Sequence, residues 1–249
     1  MNVIVCVKRV PDTETRIKIG DGGAAIDPTG VKYILSPYDE FAVEAALRTI
    51  EAAGEGEVTL VALGDDASQE TLRAGLAMGA DKALLLQAEA GHDGLATAKG
   101  LAAELEGADA PLILFGIKAA DGDQQQVGAM VGTLMGRPTV TGVTSFEVQD
   151  GKVVCHREVE GGVEVVEAEL PAVVTVTKGT FEPRYASLKG IMAAKRKPLE
   201  TKEAAAAPAR VTVSRLSEPP ARAEGKIVGE GPDAVPELVR LLREEANAL

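Results

Sequence analysis

The residues of this chain that could do chemistry are few and scattered. Cys6 and Cys155 stand far apart with no CxxC spacing, which removes a redox dithiol and a cysteine zinc site. His92 and His156 form no helical ligand pair and no run has the spacing of a calcium loop, so only a metal site built of carboxylates alone stays open. No GxxxxGK[ST] phosphate loop occurs. Gly20-Asp21-Gly22-Gly23 departs from GxGxxG at Ala25 and reads as a hairpin tip. Without a lysine or metal motif of the phosphoryl-transfer kind, a nucleotide here would be held rather than turned over.

Two stretches remain. Residues 116–128 read GIKAADGDQQQVG. Their glycines permit close backbone approach, Asp121, Asp123 and the three glutamines offer hydrogen bonds, and a helix is expected from about Gln125. The N-terminus of such a helix, with free N–H groups and a positive dipole end, suits a phosphate; a capped βα loop without a ligand explains the same letters equally well. Residues 181–198 read FEPRYASLKGIMAAKRKP. Five cations (Arg184, Lys189, Lys195, Arg196, Lys197) stand there without an acid after Glu182, and Leu188, Ile191 and Met192 fall at i, i+3 and i+4 on one helix face. Apolar anchors beside steering charges make a docking element. The alternative is a helix packed on its own core with a solvated basic end.

These stretches need a scaffold. The chain has 249 residues, 45% apolar and 26% charged, with a formal net charge of −12, the balance of a globular domain with a core of its own. A pI near 4.8 argues against non-specific nucleic-acid binding. No apolar run approaches the ~20 residues of a membrane span. In MNVIVCVKRV the cations follow the apolar run, the reverse of a secretory signal, so a cytoplasmic location is expected.

Apolar runs at 3–7, 58–63, 83–86 and 112–115 suit buried parallel strands. Between them Phe41, Ala42, Ala45, Ala46 and Ile50 line one helix face, Leu72, Leu76 and Ala77 begin another, and Leu95, Ala98, Leu101, Ala102 and Leu105 a third. Ser36 as N-cap, Pro37 at the first helical position, and Asp39 and Glu40 in the first turn start the first helix; Asp66 with Gln69 resembles a capping box for the second. Strands separated by helices predict a doubly wound α/β sheet. From about 143 the rhythm changes to strands at 143–148, 152–158, 163–169 and 172–176, broken by Gly-bearing turns, which predicts added antiparallel strands. Residues 195–210 read as a linker and 235–246 as an amphipathic tail helix displaying Val235, Leu238, Val239 and Leu242, folded back on its own domain or covering a partner. In such a sheet, ligands bind beyond the carboxyl ends of the strands. There this topology gathers Val7-Lys8-Arg9, Leu35 to Tyr38, Leu63 to Asp66 and residues 116–128.

The letters also carry a resemblance. VCVKRVPDT from Val5 to Thr13, LSPYDEFAVEAALR, TLRAGLAMGADKALLL, GIKAADGDQQQVG, REVEGGVEVVEAELPAVVTV and EPRYASLKGIMAAKRK occur in the order found in beta subunits of electron transfer flavoproteins, and the chain resembles that family essentially end to end. Cys155 replaces a small aliphatic residue usual there. The resemblance implies an electron carrier without catalytic residues, working in routes such as fatty acid oxidation. It implies a heterodimer with an alpha subunit holding FAD, fed by flavoprotein dehydrogenases and emptied by a quinone oxidoreductase or similar acceptor. It implies an adenine-nucleotide-binding, HUP-like domain over 1–190 and an arm over 191–249 that packs on the alpha subunit. AMP, held structurally, would contact Cys6, Ser36, Pro37, Tyr38, Asp39, Leu63, Gly116, Lys118, Ala119, Asp121, Gly122, Asp123, Gln124, Gln125, Gln126 and Val127. Thr13 and Tyr38 would approach the neighbouring flavin. Arg184, Tyr185, Leu188, Ile191 and Met192 would dock the dehydrogenase, with Leu188 as anchor. The Asp121 to Gly128 stretch also resembles electron-bifurcating relatives whose beta subunit takes a second FAD, whereas the docking loop is similar to the non-bifurcating group, which favours AMP. The rival from another class is a stand-alone adenine-nucleotide-binding stress-type protein. An ATP-using ligase of related architecture would open with a Ser-Gly-Gly-type loop after Val7, and none is there.

Overall fold

A computed structural model describes residues 1–88, 92–221 and 224–249. The first half alternates as the letters predict. Strand β1 (Val3–Cys6) leads through a small antiparallel pair, β2 (Arg9–Pro11) and β3 (Tyr33–Leu35), into helix α1 (Pro37–Ala53). Then come β4 (Val58–Gly64), α2 (Ser68–Met78), β5 (Lys82–Gln87), α3 (Gly94–Leu105), β6 (Leu112–Gly116) and α4 (Val127–Leu134). Strands β7 (Thr139–Gln149), β8 (Lys152–Val159) and β9 (Gly162–Glu169) follow as antiparallel neighbours, and β10 (Ala172–Val176) returns parallel between β6 and β7. Helix α5 (Leu188–Ala194), β11 (Leu199–Glu203) and α6 (Val235–Glu244) complete the described elements.

One sheet carries nine strands in the order β11-β5-β4-β1-β6-β10-β7-β8-β9. From β1 the chain winds outward through β4 to β5, then crosses over to β6 on the other side of β1. The direction of winding reverses between β1 and β6, and connections leaving their carboxyl ends diverge there. Strands buried on both faces explain the unbroken apolar runs. Val3, Val5, Leu60 and Leu114 face α1 and α2, whereas Ile4, Val61, Ile113 and Phe115 face α3 and α4. Asp150 and Gly151 both have positive φ, 50° and 76°, the two-residue turn whose twist suits the β7–β8 hairpin.

The structure corrects four local expectations. Residues 195–210 are not simply a linker, because β11 lies within them and pairs in parallel with β5 from Leu199↔Ala83 to Glu203↔Gln87. Its polar letters hide a strand held by backbone pairing and a Lys202–Glu104 ion pair at 2.6 Å, with only Leu199 partly buried. The Asp66–Gln69 capping box is not made: α2 starts after Ala67, and Asp66 accepts instead from the Gln87 side chain at 3.0 Å. Helix α4 begins at Val127 rather than Gln125, which has φ 53° and is not helical. Strand β7 begins at Thr139, four residues early, because its first part pairs with β10 and only its second with β8.

Beyond β11 the chain runs on as an arm. Asp93, the N-cap of α3, accepts from Arg210 and Val211 N–H at 2.6 and 2.8 Å, and Leu216 N–H reaches Gly23 O at 2.7 Å. In α6 Leu241 is the buried apolar residue, while Val235, Leu238 and Val239 remain exposed. Among the described residues, no helix is long and apolar enough to cross a membrane.

Candidate functional site

At the β1/β6 divide the first turn of α1 stitches the sheet together. Asp39 is buried, and its Oδ2 accepts from Lys8 N–H at 2.7 Å while Oδ1 accepts from Gly116 N–H at 3.2 Å. One carboxylate therefore closes the carboxyl ends of two adjacent strands. Burial pushes it up to about 7, against the pull of those two N–H donors and of Lys8. Gly116 owes its identity to this contact, since a Cβ there would collide with Asp39 Oδ1 and come within 2.6 Å of the Tyr38 carbonyl carbon. From the sequence, Asp39 reads as a partner of the helix dipole; its suturing role depends on β1 lying beside β6, which no local pattern announces.

Ser36 occupies the N-cap position as expected, but its side chain makes no cap bond. It is fully buried, and its hydroxyl has no hydrogen-bond partner among the described residues. An unpartnered buried hydroxyl at the positive end of a 17-residue helix, beside the end of β1, is an acceptor and donor held in reserve. Pro37 has no N–H to lose there. Tyr38 is half-buried, with the Lys118 ammonium 5.2 Å from its ring centre. Thr13 is exposed near the β2–β3 pair.

The β6–α4 loop closes over the same region. Lys8 Nζ contacts both oxygens of Asp121, at 2.9 and 2.6 Å, and Lys118 pairs with Asp123 at 2.6 Å. These acids are engaged by the chain's own lysines, which fixes the loop and neutralises it locally. Ala119 O accepts from Asp123 N–H at 3.0 Å, Asp123 has φ 51°, and a Cβ on Gly122 would meet only Gln124 Cγ, at 3.9 Å. Gln124 accepts from Gln126, Gln125 is exposed, and the Gln126 side chain lies over Gly94 at the start of α3. Helix α4 has no side-chain cap, so the first N–H groups from Val127 on are free for a ligand.

Two predicted contacts take a different part. Cys6 is buried within the layer under α3 and α4, and burial, with the Asp39 charge adding to it, holds its thiol protonated far above its usual range. Leu63 leans on α3 over Gly100, where an added Cβ would meet Leu63 Cδ1 at 2.6 Å. Both serve as walls, with only backbone atoms to offer. The remaining residues do gather at one edge, as the topology predicts.

The docking stretch follows β10. Phe181 packs on Phe146 with ring centres 5.1 Å apart. Arg48 on α1 donates to Thr180 O at 3.1 Å. Arg184, expected to face a partner, turns inward: its guanidinium meets Glu44 at 2.7 Å and Glu51 at 2.7 Å. Burial works against the Glu44 charge, but bonds from Arg184 and Arg48 outweigh it and hold the carboxyl below its usual range. Past this tether the apolar side chains turn outward. Tyr185 is 99% exposed, Leu188 79%, Met192 56% and Ile191 46%, so the i, i+3, i+4 face of α5 points to solvent rather than to the core. A groove of about 1320 Å³ runs between α1, α2 and this segment, lined by Phe41, Met78, Ala186 and Ile191 among others. Leu35, Pro37 and Glu40 also line it, so the groove reaches the first turn of α1 on the face away from the β6–α4 loop residues, none of which lines it. We take the divide as the nucleotide candidate because polar donors and helix ends converge there.

Comparison with known sequences gives the family. An electron transfer flavoprotein domain model matches residues 24–207. The chain is 41% identical over 233 residues to the electron transfer flavoprotein subunit beta of Syntrophomonas wolfei, covering 94% of this chain and 92% of that one. It is 38% identical to the subunit beta of Bacillus subtilis across the whole of both chains. It is also 40% identical to the caffeyl-CoA reductase-Etf complex subunit CarD of Acetobacterium woodii, over 80% of this chain and 77% of that one.

Proposed function

The chain belongs to the electron transfer flavoprotein family, among its beta subunits, and from that premise we propose that it holds AMP at the β1/β6 divide and docks flavoprotein dehydrogenases through α5. In this reading an alpha subunit carries the FAD that moves electrons onward to a quinone oxidoreductase or similar acceptor, and this chain contributes position rather than bonds made or broken.

The residues fit such a nucleotide. Ser36 offers a hydroxyl with no internal partner. The N-terminus of α4 carries no side-chain cap and, with its dipole, favours negative charge there. Lys8 and Lys118, paired with Asp121 and Asp123, fix the loop at the same edge. Asp39 keeps the two strand ends at a fixed separation. In this reading Tyr38, half-buried beside Lys118, and Thr13, exposed, would approach a companion's flavin.

One observation carries the docking half furthest. The apolar faces of α1, α2 and α3 are buried, whereas α5 presents Leu188, Ile191 and Met192 to solvent beside an exposed Tyr185. Lys189, Lys195 and Arg196 surround that face, so the surface suits an apolar pocket with an acidic rim. Leu188→Ala removes the most exposed aliphatic anchor. Reduction of the purified alpha–beta complex by an acyl-CoA dehydrogenase should then show KM raised about tenfold, as for loss of one buried anchor, with nucleotide content unchanged. Unaltered kinetics would remove the docking role.

A further inference from the structure

The docking helix is too short to order itself. Seven residues, Leu188–Ala194, fall well below the ~12–15 at which an isolated helix becomes marginal. At its N-terminus the side-chain cap is Ser187, whose Oγ accepts from Gly190 N–H at 3.0 Å. What orders it lies on α2. Arg73 Nη1 donates to Ala194 O at 2.6 Å and Lys197 O at 2.7 Å, closing carbonyls at the end of α5. Lys197 Nζ donates in return to Leu76 O at 3.1 Å, Gly79 O at 3.1 Å and Ala80 O at 2.6 Å, closing the end of α2. Each helix terminus thus receives a cation from the other segment, where the helix dipole favours one and charge-assisted bonds are strong. Backbones meet between these two clasps, because a Cβ on Gly190 would come within 2.5 Å of Ala77 O.

We infer that Arg73 and Lys197 are positioning residues for docking: a reciprocal clasp between α2 and α5 that fixes the exposed Leu188 face before any partner arrives. A preordered anchor binds without first giving up the entropy of a loose loop. The inference rests on the docking role proposed above and adds what makes that surface competent. The clasp acts on encounter, not on electron transfer within the docked complex or on nucleotide retention.

The test uses the complete alpha–beta complex carrying Arg73→Met, Lys197→Met, Lys197→Arg or Lys189→Met, with Leu188→Ala alongside. Hydrogen exchange of the 188–196 amides should accelerate at least tenfold in Arg73→Met and Lys197→Met. It should stay near the parent rate in Lys197→Arg, which keeps a cation at the α2 terminus. It should also stay there in Lys189→Met, which loses the same charge from an exposed position on the same helix. With an acyl-CoA dehydrogenase as donor, KM should rise about tenfold in the two clasp variants while kcat stays within about twofold, the signature of lost preorganisation. Unchanged exchange in both clasp variants overturns the inference, as does equal acceleration in Lys189→Met. A KM that responds to Leu188→Ala but not to Arg73→Met or Lys197→Met overturns the clasp alone. A KM that ignores Leu188→Ala removes the docking role and this one with it.

Discussion

Asp39 offers the sharpest quantitative test of how the crevice is built. Asp39→Ala leaves Lys8 N–H and Gly116 N–H without the acceptor that now reaches them at 2.7 and 3.2 Å. At about 1–3 kcal/mol for each stranded donor, the loss is roughly 2–6 kcal/mol. For a chain of 249 residues, at about 2–4 °C per kcal/mol, the apparent Tm should fall by about 4–24 °C. Asp39→Asn separates the charge from the shape. The carboxyl is raised from 3.8 to about 7 in the folded protein, with burial as the main cause. Between those values the unfolded chain is ionised while the folded one keeps its proton. Stability owed to Asp39 is therefore fully present below about pH 4, declines as pH rises toward about 7, and levels off above. At about 1.4 kcal/mol per unit the decline is at most about 4 kcal/mol. The measurement is the Tm difference between parent and Asp39→Asn from pH 4.5 to 8.5 by scanning calorimetry. The gap should narrow up to about pH 7 and then hold. A gap that widens with pH would mean the crevice stabilises the anion, and the reasoning from burial would fail.

Ser36→Ala should leave the Tm of nucleotide-free protein within about 1 °C, because the hydroxyl has no partner to lose, yet lower nucleotide retained through gel filtration. A fall of several degrees in the nucleotide-free protein would reveal an internal partner instead. Gly116→Ala should be among the worst small substitutions in the sheet, since its Cβ meets Asp39 and Tyr38 backbone that cannot yield. A loss of about 1–3 kcal/mol or more is expected, read by urea unfolding; a silent variant would show that the strand end and α1 can part freely.

The sheet was legible where burial leaves letters no choice. The 3–7 and 112–115 runs are apolar throughout, and 58–63 is apolar but for Thr59, because β1, β4 and β6 are covered on both faces. Strand β11 escaped because LETKE pairs by backbone at the rim and buries almost nothing. The crevice could be located from strand order, and residues 116–128 were found by their glycines and amides. Asp121 and Asp123 could not be foreseen as partners of Lys8 and Lys118, because side-chain pairing across a loop depends on folded geometry. Arg184 was read as a surface cation for the same reason; only the folded chain places Glu44 and Glu51 beneath it. Arg73 and Lys197 look like ordinary solvated charges in the letters. The α5 face, in contrast, was visible from period alone, since Leu188, Ile191 and Met192 need no distant partner to share a side.

The central claim is that this chain grips an adenylate at the β1/β6 divide while lending α5 to a flavin-bearing companion. Acid extraction of the purified alpha–beta complex, with released nucleotides counted and identified by mass, tests it most directly. The account predicts one AMP and one FAD per complex, with the AMP fraction alone falling in Ser36→Ala. Two FAD and no AMP would place this chain with relatives that hold a second flavin, and a complex yielding no adenylate beyond one FAD would contradict the claim outright.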